Sequence, residues 1–217
     1  MLLTYDIVRR EKASWIRDEH SLSSHTVTDW GMFCREAMLV FLEDYSVKIG
    51  GPNKIVEVDE SKFGRRKYHR GHPVKFQWVF VGVECQSGET FLVPVPDRTS
   101  DTLMAIIRDW IEPGTTVISD SWAAYRNLGA QGYTHLTVKH SIQFVDPNTG
   151  AHTNTIQSTW RSVKVFLRQY NRGEDYEFHL AHYLFAARCR AKRVPPYLQL
   201  LHLVANTDWS KFCLPRS

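Results

Sequence analysis

The sequence lacks the features that mark membrane, secreted and zinc-binding proteins. No stretch of its 217 residues approaches the length of a membrane span, and the first segment, MLLTYDIVRREKASWIRDEH, becomes charged too early for a signal peptide. The four cysteines are scattered and form no CxxC pair, so neither a zinc site nor a disulfide framework is predicted. We therefore expect an intracellular protein without a membrane partner, nuclear in a eukaryote and in the cytoplasm or nucleoid of a bacterium.

Excess charge of one sign is also scarce, since the formal net charge is only +4, and a value of this size does not by itself indicate nucleic acid. The exception is KFGRRKYHRGHPVK, residues 62–75, which holds six lysines and arginines and no acid. A solvated loop is the ordinary interpretation. Six cations without a counter-charge favour a basic finger that contacts the phosphate backbone of a nucleic acid. The residues assigned to this contact are Lys62, Arg65, Arg66, Lys67 and Arg70.

What the sequence does contain is the pattern of an α/β fold. Strand signals come first, at residues 54–63, 76–84 and 90–96, the last two forming a hairpin. Helix, strand, helix, strand and further helices follow, so we expect a mixed central sheet covered by helices. The later elements are a helix capped by Thr99 or Ser100, a strand at 115–120, a short helix ended by Gly129, a strand at 133–140, and helices at 154–169 and 174–192.

Residues 1–50 are predicted to form a separate helical segment that binds DNA. Ser23 or Ser24 caps its main helix. The stretch SLSSHTVTDW is either the turn and second helix of a helix-turn-helix, with Thr26 and Thr28 near a DNA groove, or an ordinary packing helix. The breaker VKIGGPNK marks the boundary, so residues 51–217 form the predicted catalytic domain with the C-terminal helices.

Asp59 is the first candidate for chemistry. It follows Val56 and Val58 on a predicted strand, where a buried carboxylate needs a partner or a metal ion. The alternative is a solvent-facing acid on an edge strand, and Glu57 and Glu60 are competitors for the same role.

Asp120 is the second candidate, because it ends an apolar strand just before a predicted helix. Ligands collect at the carboxyl ends of strands in open α/β sheets, although an aspartate at this place also caps helices well. In an RNase H-like sheet the first and fourth strands are adjacent, so Asp59 and Asp120 would face each other. Two such carboxylates can hold Mg²⁺ or Mn²⁺, and a third ligand completes a pair of metal ions.

The helix from Asn154 supplies a candidate third position. Gln157 and Lys164 are two turns apart on a polar stripe, opposite a buried stripe of apolar residues. A capping box formed by Asn154 and Gln157 would explain the glutamine without any chemistry. The polar stripe consists of Asn154, Gln157, Arg161, Lys164 and Arg168, and the apolar stripe of Ile156, Trp160, Val163 and Leu167.

Three blocks of sequence together resemble a known family. VEVDESKFGRRKYHRG, VISDSWAAY and HTNTIQSTWRSVK are similar to the DDE transposases of the Merlin group and to their bacterial insertion-sequence relatives. The resemblance implies an RNase H-like fold and two-metal cleavage and joining of double-stranded DNA, with Mg²⁺ or Mn²⁺, at the terminal inverted repeats of a mobile element. It also implies a homodimer on DNA that captures target DNA.

The resemblance also assigns roles to residues. Asp59 and Asp120 match the first two metal-binding acids, and Lys164 matches the basic residue that contacts DNA after the third acid. His152 and Asn154 fall in the HTN block that lines the site, and Arg161 joins Lys164 in neutralising phosphates.

Gln157 departs from the family pattern, which has glutamate at this third catalytic and metal-ligand position. An amide oxygen can still touch a metal ion, but one negative charge is lost, so weaker binding of the second metal ion and a severe loss of strand transfer are expected. The chain is then either a decayed or domesticated copy that retains DNA binding, or one in which glutamate was deliberately replaced. A stand-alone nuclease of the same fold is a further alternative.

Overall fold

The computed structural model describes residues 2–44, 47–63, 77–120, 123–138, 152–167 and 176–207. The chain folds into two compact units, one of Met1–Tyr45 with Ala181–Ser217 and one of Ser46–Leu180. Residues 181–217 thus group with the N-terminal segment, whereas the sequence placed the C-terminal helices in the second domain. The functions assigned to the two parts stay predictions. None of the described helices is long and apolar enough to cross a membrane.

The described helices and strands are numbered in chain order. The helices are α1 (Leu2–Arg9), α2 (Ala13–His20), α3 (Ser24–Asp44), α4 (Ser100–Trp110), α5 (Asn154–Leu167), α6 (Tyr176–Ala191) and α7 (Pro196–Asn206). The strands are β1 (Ile49–Gly50), β2 (Ile55–Phe63), β3 (Gln77–Glu84), β4 (Thr90–Val95), β5 (Ile111–Glu112), β6 (Thr116–Asp120) and β7 (Thr134–Val138).

A five-stranded mixed sheet forms the centre of the second unit. Its spatial order is β4-β3-β2-β6-β7, while the short strands β1 and β5 pair separately. Strand β3 runs antiparallel to β2 and β4, and the pairs β2–β6 and β6–β7 are parallel. Since β2 and β6 are the first and fourth strands of this sheet along the chain, the predicted RNase H-like fold is confirmed.

Strand β2 lies in the middle of the sheet, and α4 and α5 cover its two faces. Val56 and Val58 are fully buried and share a core with Leu103 and Ile107 of α4. The opposite face carries Glu57 and Asp59, and both of these side chains bind α5. The alternative of an edge strand for Asp59 is therefore wrong.

Two helix starts follow the predicted caps. The Thr99 hydroxyl accepts a hydrogen bond from the backbone N–H of Thr102 at 3.4 Å and so caps α4. The Ser23 hydroxyl accepts one from the N–H of Thr26 at 3.0 Å and caps α3. Such side-chain acceptors satisfy backbone donors that have no partner within the helix.

Two details of the prediction are wrong. In place of a short helix ended by Gly129, the described residues form two 3₁₀ turns, at Ala123–Tyr125 and Gly129–Gln131. Tyr125 and Leu128, three residues apart, are both buried in the core, a spacing that suits a three-residue turn better than an α-helix. Helix α7 was not predicted, although Pro196 stands at the favoured first helical position and Pro195 directly precedes it.

The first unit is helical. Its core includes Met38, Phe185 and Leu200, and the rings of Phe41 and Phe185 meet edge to face at 5.7 Å. Helix α2 ends at His20, and its C-cap residue Ser21 has a positive φ of 52° that turns the chain toward α3. The exposed side chains of Thr26 and Thr28 lie at the start of α3. The proposed helix-turn-helix role of this segment stays a prediction.

Candidate active site

Asp59 and Asp120 lie just beyond the paired part of two neighbouring parallel strands. The last registered pair of β2 and β6 is Glu57 and Ile118, and each aspartate follows its member of that pair by two residues. Side chains two residues apart along a strand project to the same face. The two partly exposed carboxylates therefore project from one face of the sheet.

The Asp59 carboxylate is held by two donors. Its Oδ2 accepts a hydrogen bond from the indole Nε1–H of Trp160 on α5 at 2.9 Å. Its Oδ1 accepts one from the backbone N–H of Glu60, also at 2.9 Å. Both carboxylate oxygens of Asp59 are therefore oriented by hydrogen bonds.

Helix α5 has the predicted two-sided character. Ile156, Trp160, Val163 and Leu167 are buried, and Asn154, Gln157, Arg161 and Lys164 are exposed. Arg168 lies outside the described residues.

Gln157 does not belong to the predicted capping box. The helix begins at Asn154, and the carbonyl of Thr153 accepts the N–H of Gln157 at 3.2 Å, so the cap position falls one residue earlier. Gln157 stands on the exposed side of α5, three residues before the tryptophan that binds Asp59. This placement is compatible with the proposed role as third ligand, which stays a prediction.

Glu57, one of the competitors of Asp59, is fully buried and binds three groups. Its Oε2 accepts the backbone N–H of Ile156 at 2.7 Å. Its Oε1 lies 3.3 Å from both the Sγ of Cys85 and the Nδ1 of His152. Burial, together with the charge of Glu57, raises the pKa of Cys85 to about 12, which keeps the thiol protonated as a donor.

Glu60, the other competitor, projects to the opposite face of β2. Its carboxyl oxygen accepts a hydrogen bond from the hydroxyl of Tyr125, which belongs to the core beside α4. Burial raises the pKa of Glu60 to about 8, and the charges of Asp59 and Asp120 add to this effect, while Arg98 opposes it. Glu60 is thus a mainly protonated neighbour of the two aspartates.

The ligand types fit a hard divalent cation. Within the described ranges, no three histidine, cysteine, aspartate or glutamate side chains form a metal-ligand group. The candidate set is instead Asp59, Asp120 and the amide of Gln157, all of them oxygen ligands of the kind that Mg²⁺ and Mn²⁺ prefer. Its charge is two negative units, one fewer than three carboxylates would supply.

The predicted DNA contacts are divided between described and undescribed parts of the chain. Arg65, Arg66, Lys67 and Arg70 lie outside the described residues. Lys62 is exposed at the end of β2, with its Nζ 5.4 Å from the ring centre of Trp78.

The remaining predicted contacts lie at or near α5. The Nζ of Lys164 lies 5.7 Å from the ring centre of Trp160. Trp160 is the residue whose indole N–H binds Asp59. Arg161 and Asn154 are on the exposed stripe of α5. His152 contacts the buried carboxylate of Glu57 through its Nδ1. The DNA-binding roles of all these residues stay predictions.

Sequence reasoning missed the contacts that join these residues. It placed Trp160 on the buried stripe of α5 but did not predict its hydrogen bond to Asp59. It named Glu57 and Glu60 only as competitors of Asp59 and did not distinguish their environments. One signal was present, since alternation along β2 puts Glu57 on the same face as Asp59. The partners of both acids on α5 lie about 100 residues further along the chain and carry no local signal.

Comparison with known proteins places the chain in a family. The ISXO2-like transposase domain matches residues 49–190, well over half of the chain. The chain belongs to this family. The family match includes all three candidate ligand positions.

The ISXO2-like chain is similar in sequence to one bacterial protein. Two viral integrase cores align with its structure. A protein of Haemophilus influenzae described as an uncharacterized transposase-like protein is 29% identical over 94 residues, which cover 42% of this chain and 75% of that protein. The HTLV-2 integrase catalytic core, solved in complex with magnesium, aligns at 17% identity with a TM-score of 0.41, over 62% of this chain and 86% of the integrase chain. The BIV integrase core aligns at 17% identity with a TM-score of 0.43, over 73% and 97% of the two chains.

Proposed function

We propose that this ISXO2-like chain is a DDE-type transposase, of the Merlin-related kind, that binds the terminal inverted repeats of a mobile element and joins them to target DNA. The observation that carries the proposal is that Asp59 and Asp120 each lie two residues beyond the registered pair Glu57–Ile118 of the parallel strands β2 and β6, with α5 bound to Asp59 through Trp160. Two parallel carboxylates next to a helix with basic residues suit the reactive end of a DNA strand.

The candidate ligands are Asp59, Asp120 and Gln157. A pair of Mg²⁺ or Mn²⁺ ions held there would activate water for the first cut and stabilise the attacking and leaving oxygens of the joining step.

Residues of the chain position the Asp59 carboxylate and the phosphates of the bound DNA strand. The indole N–H of Trp160 fixes the rotamer of Asp59, so the carboxylate is preorganised on the sheet. Arg161 and Lys164, exposed on the same helix, neutralise phosphates of the bound strand. Lys62, exposed at the end of β2, adds a further cation that contacts the DNA backbone.

Gln157 makes the chain an impaired enzyme in this proposal. A neutral amide binds a hard cation more weakly than a carboxylate does, so the second metal ion is held poorly while the DNA contacts remain. Specific DNA binding with little strand transfer is the expected behaviour. A DNA-binding protein without catalysis is therefore the second candidate function, and Gln157 is the observation that favours it.

The assembly and location follow from the reaction. One active site for each end of the element is the simplest arrangement, so we propose a homodimer on DNA. Because the substrate is cellular DNA, we propose that the protein works inside the cell, where that DNA lies.

A joining assay tests the proposal. The substrate is a pre-cut DNA end that carries the inverted repeat framing the encoding gene, mixed with a supercoiled target and Mg²⁺ or Mn²⁺. We expect little joining by the native chain and clear joining by the Gln157→Glu variant, because the third carboxylate restores the metal pair. Asp120→Asn in the Gln157→Glu background is the matched control and abolishes the product.

Other results of this assay distinguish the transposase from a stand-alone nuclease and from a DNA-binding protein without catalysis. Cleavage of uncut ends by Gln157→Glu without any joining identifies a stand-alone nuclease. Binding of the repeat without cutting or joining by Gln157→Glu contradicts the transposase proposal and leaves a DNA-binding protein.

A further inference from the structure

Glu57 is a fully buried carboxylate that the proposed chemistry does not use. Burying a carboxylate costs several kcal/mol unless hydrogen bonds or charges compensate. A valine or isoleucine would be buried in this central strand without that free-energy cost. The presence of a glutamate here therefore needs an explanation.

Its partners show what Glu57 binds. Ile156 is the third residue of α5, and the N–H groups of a first helical turn have no acceptor within the helix. The Glu57 Oε2 accepts this N–H at 2.7 Å across 99 residues of sequence. A negative charge at a helix N-terminus also interacts favourably with the helix dipole. Glu57 therefore caps α5 from the strand that carries Asp59.

The cap forms one half of a two-point attachment between β2 and α5. Glu57 binds the amide of Ile156, and Asp59 binds the indole of Trp160 at 2.9 Å. Two residues of strand span about 6.7 Å, and four residues of helix rise about 6 Å, so the two attachments match in spacing. Gln157 lies on the helix between the two attachment points.

We infer that Glu57 is a positioning residue for the active site. By capping α5 on β2, it fixes the height of the helix along the strand and thereby the distance between Asp59 and the third ligand position at 157. Glu57 itself touches neither DNA nor metal ion in this scheme. The inference rests on the proposed function, because it deepens the account of the same site.

The chain offers a matched control in Glu84. This carboxylate is also buried on a strand of the same sheet and also accepts a backbone N–H, that of Gly50, at 2.9 Å. It pairs with Lys54, the residue just before β2. Glu84→Gln therefore removes a comparable buried charge and leaves both hydrogen bonds between β2 and α5 in place.

The test has two readouts on full-length protein. Amide hydrogen exchange measured by NMR should show the Ile156 N–H exchanging roughly 10-fold faster in Glu57→Gln, and unchanged in Glu84→Gln. Titration with Mn²⁺ in the Gln157→Glu background should show affinity falling roughly 10-fold when Glu57→Gln is added, and unchanged when Glu84→Gln is added. A purely structural role for Glu57 would move the stability of the fold but not the metal affinity relative to the control.

The outcomes are distinct. Unchanged exchange at Ile156, or faster exchange with unchanged Mn²⁺ affinity, overturns the positioning role and leaves the proposed function intact. Failure of Gln157→Glu to bind Mn²⁺ while Glu57 is present overturns the proposed function, and with it any role of Glu57 in metal geometry. If Glu57→Gln does not fold, Glu57→Asp takes its place, since it keeps the charge and shortens the side chain by one methylene.

Discussion

At the scale of single residues, three acids within four positions of β2 have three different environments. Asp59 is partly exposed and oriented by Trp160, Glu57 is buried against the first turn of α5, and Glu60 lies against Tyr125 on the opposite face. Alternation along the strand predicted which acids share a face. It could not predict which acid meets solvent, because that depends on a helix about 100 residues away.

The raised pKa of Glu60 predicts a pH dependence of stability in protein stripped of metal by a chelator. Its pKa is about 8 in the folded chain, against an ordinary value of 4.5. The folded chain therefore keeps a proton that the unfolded chain releases, so the stabilisation is complete below pH 4.5 and is lost as pH rises through about 8. The groups that set the shift are Asp59, Asp120 and Arg98.

Urea unfolding between pH 5 and pH 8 measures this effect. We expect the free energy of unfolding of the native chain to fall by an amount on the order of a few kcal/mol, and the fall to be smaller in Glu60→Gln. Glu89→Gln, at an exposed position of the β3–β4 turn, serves as the control and should keep the native slope. Equal slopes in all three proteins would show that Glu60 ionises normally.

At the scale of elements, the sequence predicted what local periodicity encodes. The strands of the sheet, the cap of α4 by Thr99 and the two-sided α5 all follow from patterns within a few residues. The 3₁₀ turns at Ala123–Tyr125 and Gly129–Gln131 did not follow, because their shape is set by the burial of Tyr125 and Leu128 in the core. Tertiary packing overrode a weak helical pattern there.

Gly82 shows how closely the sheet elements pack. It lies opposite Phe91 on β4, and a Cβ atom at this position would stand 2.3 Å from the Phe91 ring. We expect Gly82→Ala to lower the free energy of unfolding by about 1–3 kcal/mol or more, because the buried ring has no space to move into.

Gly129→Ala is the matched control, since among the described residues other than its chain neighbours no atom lies within 4 Å of its added Cβ. Chemical denaturation of both variants measures the difference. Phe91→Leu should partly restore the stability of Gly82→Ala, because the smaller side chain makes room. A Gly82→Ala protein as stable as Gly129→Ala would show that β3 and β4 are less tightly packed than described.

At the scale of the whole molecule, the chain combines a helical unit with an RNase H-like unit of a transposase family. The sequence motifs predicted a transposase family and a sheet in which the first and fourth strands are adjacent, and both predictions are confirmed. The roles of Asp59 and Asp120 stay predictions. The grouping of α7 with the N-terminal helices could not be predicted, since helix patterns do not reveal which core a helix joins. In the proposed function, three distant segments supply the residues of one site.

We propose that Asp59, Asp120 and position 157 form one divalent-metal site. Calorimetric titration with Mn²⁺ of four proteins tests this site: the native chain, Gln157→Glu, Asp59→Asn and the double variant. We expect Gln157→Glu to raise the Mn²⁺ affinity by a factor on the order of 10, and this gain to disappear in the Asp59→Asn background. An equal gain in both backgrounds would show that the carboxylate at 157 binds metal independently of Asp59, and the proposed site would then be wrong.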